Sequence, residues 1–158
     1  MALPEPQGGL VISYAYLWRH ESEGGQTEGV KDRPCAIVLA VRREGGSLAR
    51  GGTTAEQPNT ATTVTVAPIT HTPPHDPAAA IEIPPKVKQH LGLDSERSWI
   101  ILDEFNEFAW PGFDLRPLPG QPGRYDYGFL PPALYRKIIE RILDLRRQRR
   151  VFVSSRDE

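Results

Sequence analysis

Pro34–Val41 reads PCAIVLAV, eight residues without a charge or a polar interruption. A strand with one wet face alternates apolar and polar residues, so an unbroken apolar run implies a strand covered on both faces. The run is too short for a helix to be the better reading. On its N-terminal side, Arg19–Asp32 (RHESEGGQTEGVKD) is polar, contains a Gly-Gly pair and reads as an exposed loop. Before it, Leu10–Trp18 (LVISYAYLW) is rich in β-branched and aromatic residues and reads as a strand. On the C-terminal side, Arg43–Thr60 holds four glycines among Ser, Thr, Gln and Asn, the composition expected of a mobile loop. Strand character returns at Thr62–Thr70 (TTVTVAPIT), where threonine and valine alternate.

Beyond the Pro-rich HTPPHDP connection, a short strand is expected around Ala80–Ile83. Pro84–Leu91 reads as one or two helical turns, opened by proline and stopped by Gly92. Ser98–Asp103 (SWIILD) reads as another buried strand, and Asn106–Tyr125, with prolines at 111, 117, 119 and 122, as irregular. Pro131–Arg147 is the clear helix. Leu134, Ile138, Ile142 and Leu145 recur every three or four residues as one stripe, which Ile139 and Leu143 widen. Val151–Val153 is a candidate last strand. Five or six short strands and one packing helix predict a mainly β fold with a C-terminal helix, an SH3-like barrel or a strongly curved antiparallel sheet. Strands and long helices do not alternate, which argues against a Rossmann fold.

The 158 residues suit a single domain spanning 1–158, with an ordered core over roughly residues 10–153 and mobile loops at 20–32, 43–60 and 106–126. Sixteen prolines and fourteen glycines favour many short strands joined by turns over a helical bundle. A formal net charge of −1 gives no global sign of a nucleic-acid partner. The single Cys35 excludes an internal disulfide and suits a reducing compartment. No basic segment followed by an apolar one opens the chain, and no apolar run reaches the ~20 residues of a membrane span. The expectation is a cytoplasmic protein without membrane contact.

Several side chains could carry chemistry. Arg33 stands at a loop–strand junction, with Pro34 fixing the backbone beside it. Its planar fork suits a phosphate, though taken alone it more often pairs with a carboxylate such as Asp32 or Glu28. Thr70 ends a strand, where a hydroxyl either meets a phosphate oxygen or caps a turn. His71, His75 and Asp76 invite a metal reading, but zinc needs three or four placed ligands and Thr72-Pro73-Pro74 forms no helix to align them. No metal and no cofactor are therefore expected. His20 and His71 are candidate acid/base groups, since imidazoles titrate near neutral pH. Asp103 and Glu104 are adjacent carboxylates, and strand alternation would let only one of them face a shared site. Trp18 and Trp99 lie in apolar strands and read as core, whereas Trp110, in a loop, reads as a ligand or partner contact. His71, Trp110 and Glu28 are the candidate substrate contacts. Arg136–Arg150 carries seven basic residues against two acids, suited to a phosphate backbone, to an acidic partner or to a solvated helix face.

In order along the chain, these features resemble the MazF/PemK (Kid) family of toxins from toxin–antitoxin systems. The resemblance rests on an apolar first strand, a polar loop and Arg33-Pro34 opening a buried strand. It continues with Val64–Thr70 (VTVAPIT) ending in Pro-Ile-Thr, Leu91-Gly92-Leu93 ahead of Ser98–Asp103, and Gly128-Phe129-Leu130 leading into the helix. It spans most of residues 10–146. The resemblance implies an SH3-like homodimer acting as a metal-independent endoribonuclease on single-stranded RNA, neutralised by a cognate antitoxin. Such enzymes use the RNA's own 2′-hydroxyl as nucleophile and leave a cyclic phosphate and a 5′-hydroxyl. By position Arg33 matches the catalytic arginine, Thr70 the phosphate-contacting threonine and Asp103 the aspartate of the PemK branch; His20 corresponds more loosely to a histidine of the first loop. Where that branch has an arginine two residues before its aspartate, this chain has Ile101. A non-catalytic SH3-like binding module and a gyrase-poison-like toxin on the same fold are the alternatives.

Overall fold

The computed structural model describes residues 3–23, 32–44 and 60–156. In chain order these form β1 (Leu10–Ala15), α1 (Arg19–Glu23), β2 (Asp32–Glu44), β3 (Thr60–Thr70), a 3-10 turn at Pro77–Ala79, β4 (Ala80–Glu82), α2 (Pro85–Leu91), β5 (Trp99–Ile101), β6 (Glu104–Ala109), β7 (Asp126–Phe129), α3 (Pro132–Arg147) and β8 (Phe152–Ser155). The strands make one strongly curved half-barrel, mainly antiparallel, in the order β4-β5-β3-β2-β1-β7. The fold is mainly β with a C-terminal helix, as the sequence pattern predicts.

The long β3 organises the curvature. Thr63–Val66 pairs with β6, and Ile69–Thr70 pairs with β5. Pro68 falls between these two pairings on that edge of β3 and stands opposite Cys35 of β2 on the other. β8 then adds to the far edge of β6 in parallel, Phe105 opposite Val153. Strand residues divide between two cores. Val11, Ala36, Val38, Ala67 and Ile69 meet Ile138 and Leu145 of α3. Leu10, Ile12, Tyr14, Cys35, Ile37, Val64, Val66 and Phe108 form the other core. β2 is thus covered on both faces, but only over its first half. Leu39 and Val41 are 54% and 40% exposed, because the β2–β3 hairpin runs on past both cores.

Helix α3 starts at Pro132 with Pro131 ahead of it. Leu134, Ile138, Ile139, Ile142 and Leu145 pack as expected, joined by Tyr135, whose hydroxyl donates to the Val38 carbonyl at 3.0 Å. Leu143 faces solvent instead, since helical rotation carries it away from the Ile138–Leu145 line. The polar stretch 19–32 contains the short α1, and 24–31 lies outside the described residues, as does 45–59 of the expected loop 43–60. In the expected loop 106–126, Asn106–Ala109 belongs to β6. The remainder is tied to β1: Ala15 N–H donates to the Asp114 carbonyl and Arg116 N–H to that of Ser13. Eight strands stand among the described residues, more than expected, because β6 and β7 border proline-rich sequence that hides their period.

Candidate active site

Four segments far apart in sequence converge at one end of the half-barrel: the turn after β1, the start of β2, the end of β3 and the β5–β6 junction. They enclose a cleft of about 470 Å³ lined by Trp18, His20, Arg33, Thr70, Asp103 and Glu104, among others. Arg33, Thr70, Asp103 and His20, singled out from sequence, thus share one cavity.

Arg33 is the second residue of β2, opposite Tyr14 of β1, which holds its backbone rigidly. Its guanidinium carbon lies 5.1 Å from the Trp18 ring, within range of a cation–π attraction. Nη1 makes one long bond, 3.4 Å, to the Ile69 carbonyl. Nε is buried and has no hydrogen-bond partner among the described residues. Asp32, the nearest candidate for a surface ion pair, turns instead toward Arg116, with 3.6 Å between Nε and Oδ1. Arg33 therefore presents a positive fork whose donors are incompletely used. Thr70 caps a turn and keeps a donor: its Oγ1 accepts the Thr72 N–H at 3.1 Å, which leaves its own hydroxyl proton free to be given away.

Asp103 and Glu104 both line the cleft, against the expectation that only one would. Asp103 lies in a bend between β5 and β6, so the alternation of strand side chains does not apply to the pair. Burial lifts the Asp103 carboxyl above its usual range, opposed by hydrogen bonding to its own backbone and by the charges of Arg150 and Arg19. Burial also lifts Glu104, outweighing the bonds it accepts from Arg19 N–H at 2.9 Å and the Tyr16 hydroxyl at 3.0 Å. Carboxyls raised in this way hold a proton more readily and suit acid catalysis. Ile101 lines the same cleft. At its rim Asp76 pairs with Arg150. Cys35 sits beneath, fully buried, with a thiol pushed far above its ordinary range by that burial, which makes it a poor nucleophile.

Arg33 and Thr70 also border a smaller cavity of about 100 Å³, lined in addition by His71, Lys88, Asp94 and Ser98. Lys88, 5% exposed, gives its Nζ to Asp94 Oδ1 at 2.6 Å, to Ser98 Oγ at 2.7 Å and to the Glu96 carbonyl. The same Asp94 carboxylate takes His71 Nε2 at 2.9 Å. This cluster escapes sequence reading because Lys88 and Asp94 sit in an unremarkable helix–turn. Only the packing of α2 against the end of β3 brings them to Thr70.

Of the other candidates, Trp18 both packs on the second core and faces the cleft. Trp99 is half-buried, with Arg97 stacked on its ring at 5.0 Å, and is not a core residue. Trp110 packs against Phe108, ring centroids 6.1 Å apart, and does not line the cleft. Glu28 lies outside the described residues. His75 and Asp76 line the large cleft and His71 the small one. Among the described residues no group of three or more His, Cys, Asp or Glu side chains is arranged to hold a metal ion. The basic C-terminal segment is partly engaged within the molecule, Arg141 with the Ala78 and Ala80 carbonyls and Arg147 with Asp144. No described helix is long and apolar enough to cross a membrane. The chain matches no protein-family model, no curated protein and no solved structure.

Proposed function

We propose that this chain is a MazF/PemK-like, metal-independent endoribonuclease that cuts single-stranded RNA by attack of the RNA's own 2′-hydroxyl. The observation that carries the reading is Arg33, a half-buried guanidinium whose fork makes one long hydrogen bond, in a cleft it shares with Thr70, His20 and Asp103. The attacking and leaving oxygens place extra negative charge on a five-coordinate phosphate. A fixed guanidinium stabilises that charge more than it stabilises the substrate's single charge. Thr70 donates its free hydroxyl proton to a phosphate oxygen. Asp103 and Glu104, raised by burial, are suited to protonate the leaving 5′-oxygen, and His20 lies at the same wall. Where the PemK branch carries an arginine this chain has Ile101, but the charge of Arg150 acts on Asp103 from another direction. On this reading the protein pairs into homodimers, works in the cytoplasm and is held in check by an antitoxin protein.

The test is incubation of purified protein with a long single-stranded RNA in EDTA. Discrete fragments with 5′-hydroxyl and cyclic phosphate ends are expected, formed at least about 100-fold more slowly by Arg33→Ala. Intact RNA with folded wild-type protein, or cleavage that survives Arg33→Ala unchanged, would refute the proposal. RNA bound by the wild type but left uncut would point instead to a non-catalytic binding module.

A further inference from the structure

A ribonuclease of this kind needs a base for the 2′-hydroxyl as well as an acid for the leaving oxygen, and the two act on different sides of phosphorus. Arg33 and Thr70 border two cavities. The larger holds the carboxyls Asp103 and Glu104, and the smaller holds His71. We infer that His71, oriented by Asp94, is the general base of this centre and acts from the small cavity. The inference rests on the ribonuclease reading above and deepens it.

The geometry sets the tautomer. Asp94 carries its charge, since its hydrogen bond from Lys88 and then that from His71 hold its carboxyl below the ordinary range. An ionised carboxylate only accepts, so the His71 Nε2 that lies 2.9 Å and 3.1 Å from its two oxygens must carry the hydrogen. The lone pair of the neutral ring is then on Nδ1. The nearest carboxylate to that nitrogen is Glu96, at 3.9 Å, too far to occupy it by a hydrogen bond. The charged groups around His71 are Asp94 and Glu96, Lys88 behind Asp94, and Arg33 in the same cavity. Asp94 does not swing freely. Lys88, almost wholly buried, clamps it at 2.6 Å and is itself held by Ser98 and the Glu96 carbonyl. A buried lysine fixing a carboxylate that fixes an imidazole is the arrangement by which a proton-transfer group is aimed. An exposed ion pair made only for stability would need no such anchor.

The step balances without a co-reactant. His71 Nδ1 takes the proton of the 2′-hydroxyl as the 2′-oxygen bonds to phosphorus. The bond from phosphorus to the 5′-oxygen breaks, and that oxygen takes a proton from the carboxyl pair in the larger cavity. Arg33 holds the charge that builds up on phosphorus. The cyclic phosphate and the 5′-hydroxyl chain leave, His71 gives its proton to water, and the carboxyl regains one.

The experiment compares wild type, His71→Gln and Asp94→Asn in cleaving single-stranded RNA in EDTA, from about pH 5 to about pH 8. The His71 side chain is half exposed, so the glutamine variant keeps the fold, checked by circular dichroism. Its kcat should fall by about 100-fold or more with RNA affinity kept, and the limb of the profile that rises with pH should vanish. Asp94→Asn should lower kcat about tenfold or more without raising KM, as expected of a positioning residue. A substrate whose 5′-oxygen is replaced by sulfur leaves without an acid. The His71→Gln defect should persist on it, whereas that of Asp103→Asn with Glu104→Gln should shrink. A His71→Gln enzyme with wild-type rate and pH profile overturns the inference alone, as does a defect rescued by the sulfur substrate. A wild type that leaves RNA intact is a different result, and removes the ribonuclease reading together with the base.

Discussion

Replacing Asn106 by leucine tests whether one buried side chain holds the Trp18–His20 wall of the cleft. Asn106 is fully buried in β6. Its Oδ1 accepts the Leu17 N–H at 2.9 Å and its Nδ2 donates to the Leu17 carbonyl at 2.8 Å. One amide thus stands in for a strand partner to Leu17, whose residue is itself buried. Leucine keeps the same branched skeleton and its methyls are bulkier than the amide, so no cavity opens to let water replace the lost bonds. Two buried backbone groups lose their partners at about 1–3 kcal/mol each. Burial of the leucine side chain returns about 1.5–3 kcal/mol. Taken at mid-range, the net loss is about 2 kcal/mol, which for a domain of this size lowers Tm by roughly 2–4 °C per kcal/mol. Urea unfolding followed by tryptophan fluorescence should show a lower midpoint with an unchanged slope. If the cleft cleaves RNA as proposed, the same variant should lose that activity, because Trp18 backs Arg33. A leucine variant as stable as the wild type would refute the reasoning, since the two bonds would then contribute nothing beyond the desolvation of the amide.

Two further predictions concern ionisation and packing. The Glu104 carboxyl is raised above its ordinary 4.5, so the folded state holds its proton more tightly than the unfolded chain does. Its contribution to stability is therefore full below that value and is lost as pH rises through the folded one. Glutamine still accepts from Arg19 and Tyr16 but never ionises, so the stability of Glu104→Gln relative to wild type should rise as pH climbs above the ordinary 4.5. A difference that stays constant across urea titrations would show that burial does not dominate this carboxyl. At Gly8, an added Cβ would run into the Tyr135 hydroxyl and come within 2.8 Å of the ring carbon that bears it. Gly8→Ala should cost about 1–3 kcal/mol by overpacking, and combining it with Tyr135→Phe should cost less than the sum of the two. Additive losses in a double-mutant cycle would mean that the hydroxyl is not the obstacle.

Local pattern alone was enough to read β1, β2, β3 and α3, since side-chain periods of 2 and 3.6 are written into consecutive residues. The same order of short motifs singled out Arg33, Thr70, Asp103 and His20, which lie in one cleft. What the sequence could not reveal depends on pairings between distant segments. Glu104 joined Asp103 in the cleft because a bend between β5 and β6 cancels strand alternation. Its bond to Tyr16 spans 88 positions, and the Asn106 clasp on Leu17 spans 89. Trp110 was turned onto Phe108 and away from the cleft by the pairing of β6 with β3. Lys88, Asp94 and His71 became one chain of contacts only when α2 and the turn after it were laid against the end of β3. None of these contacts carries a local signal, because each is decided by which strand edge its partner segment reaches, and that is set by the register and curvature of the whole sheet.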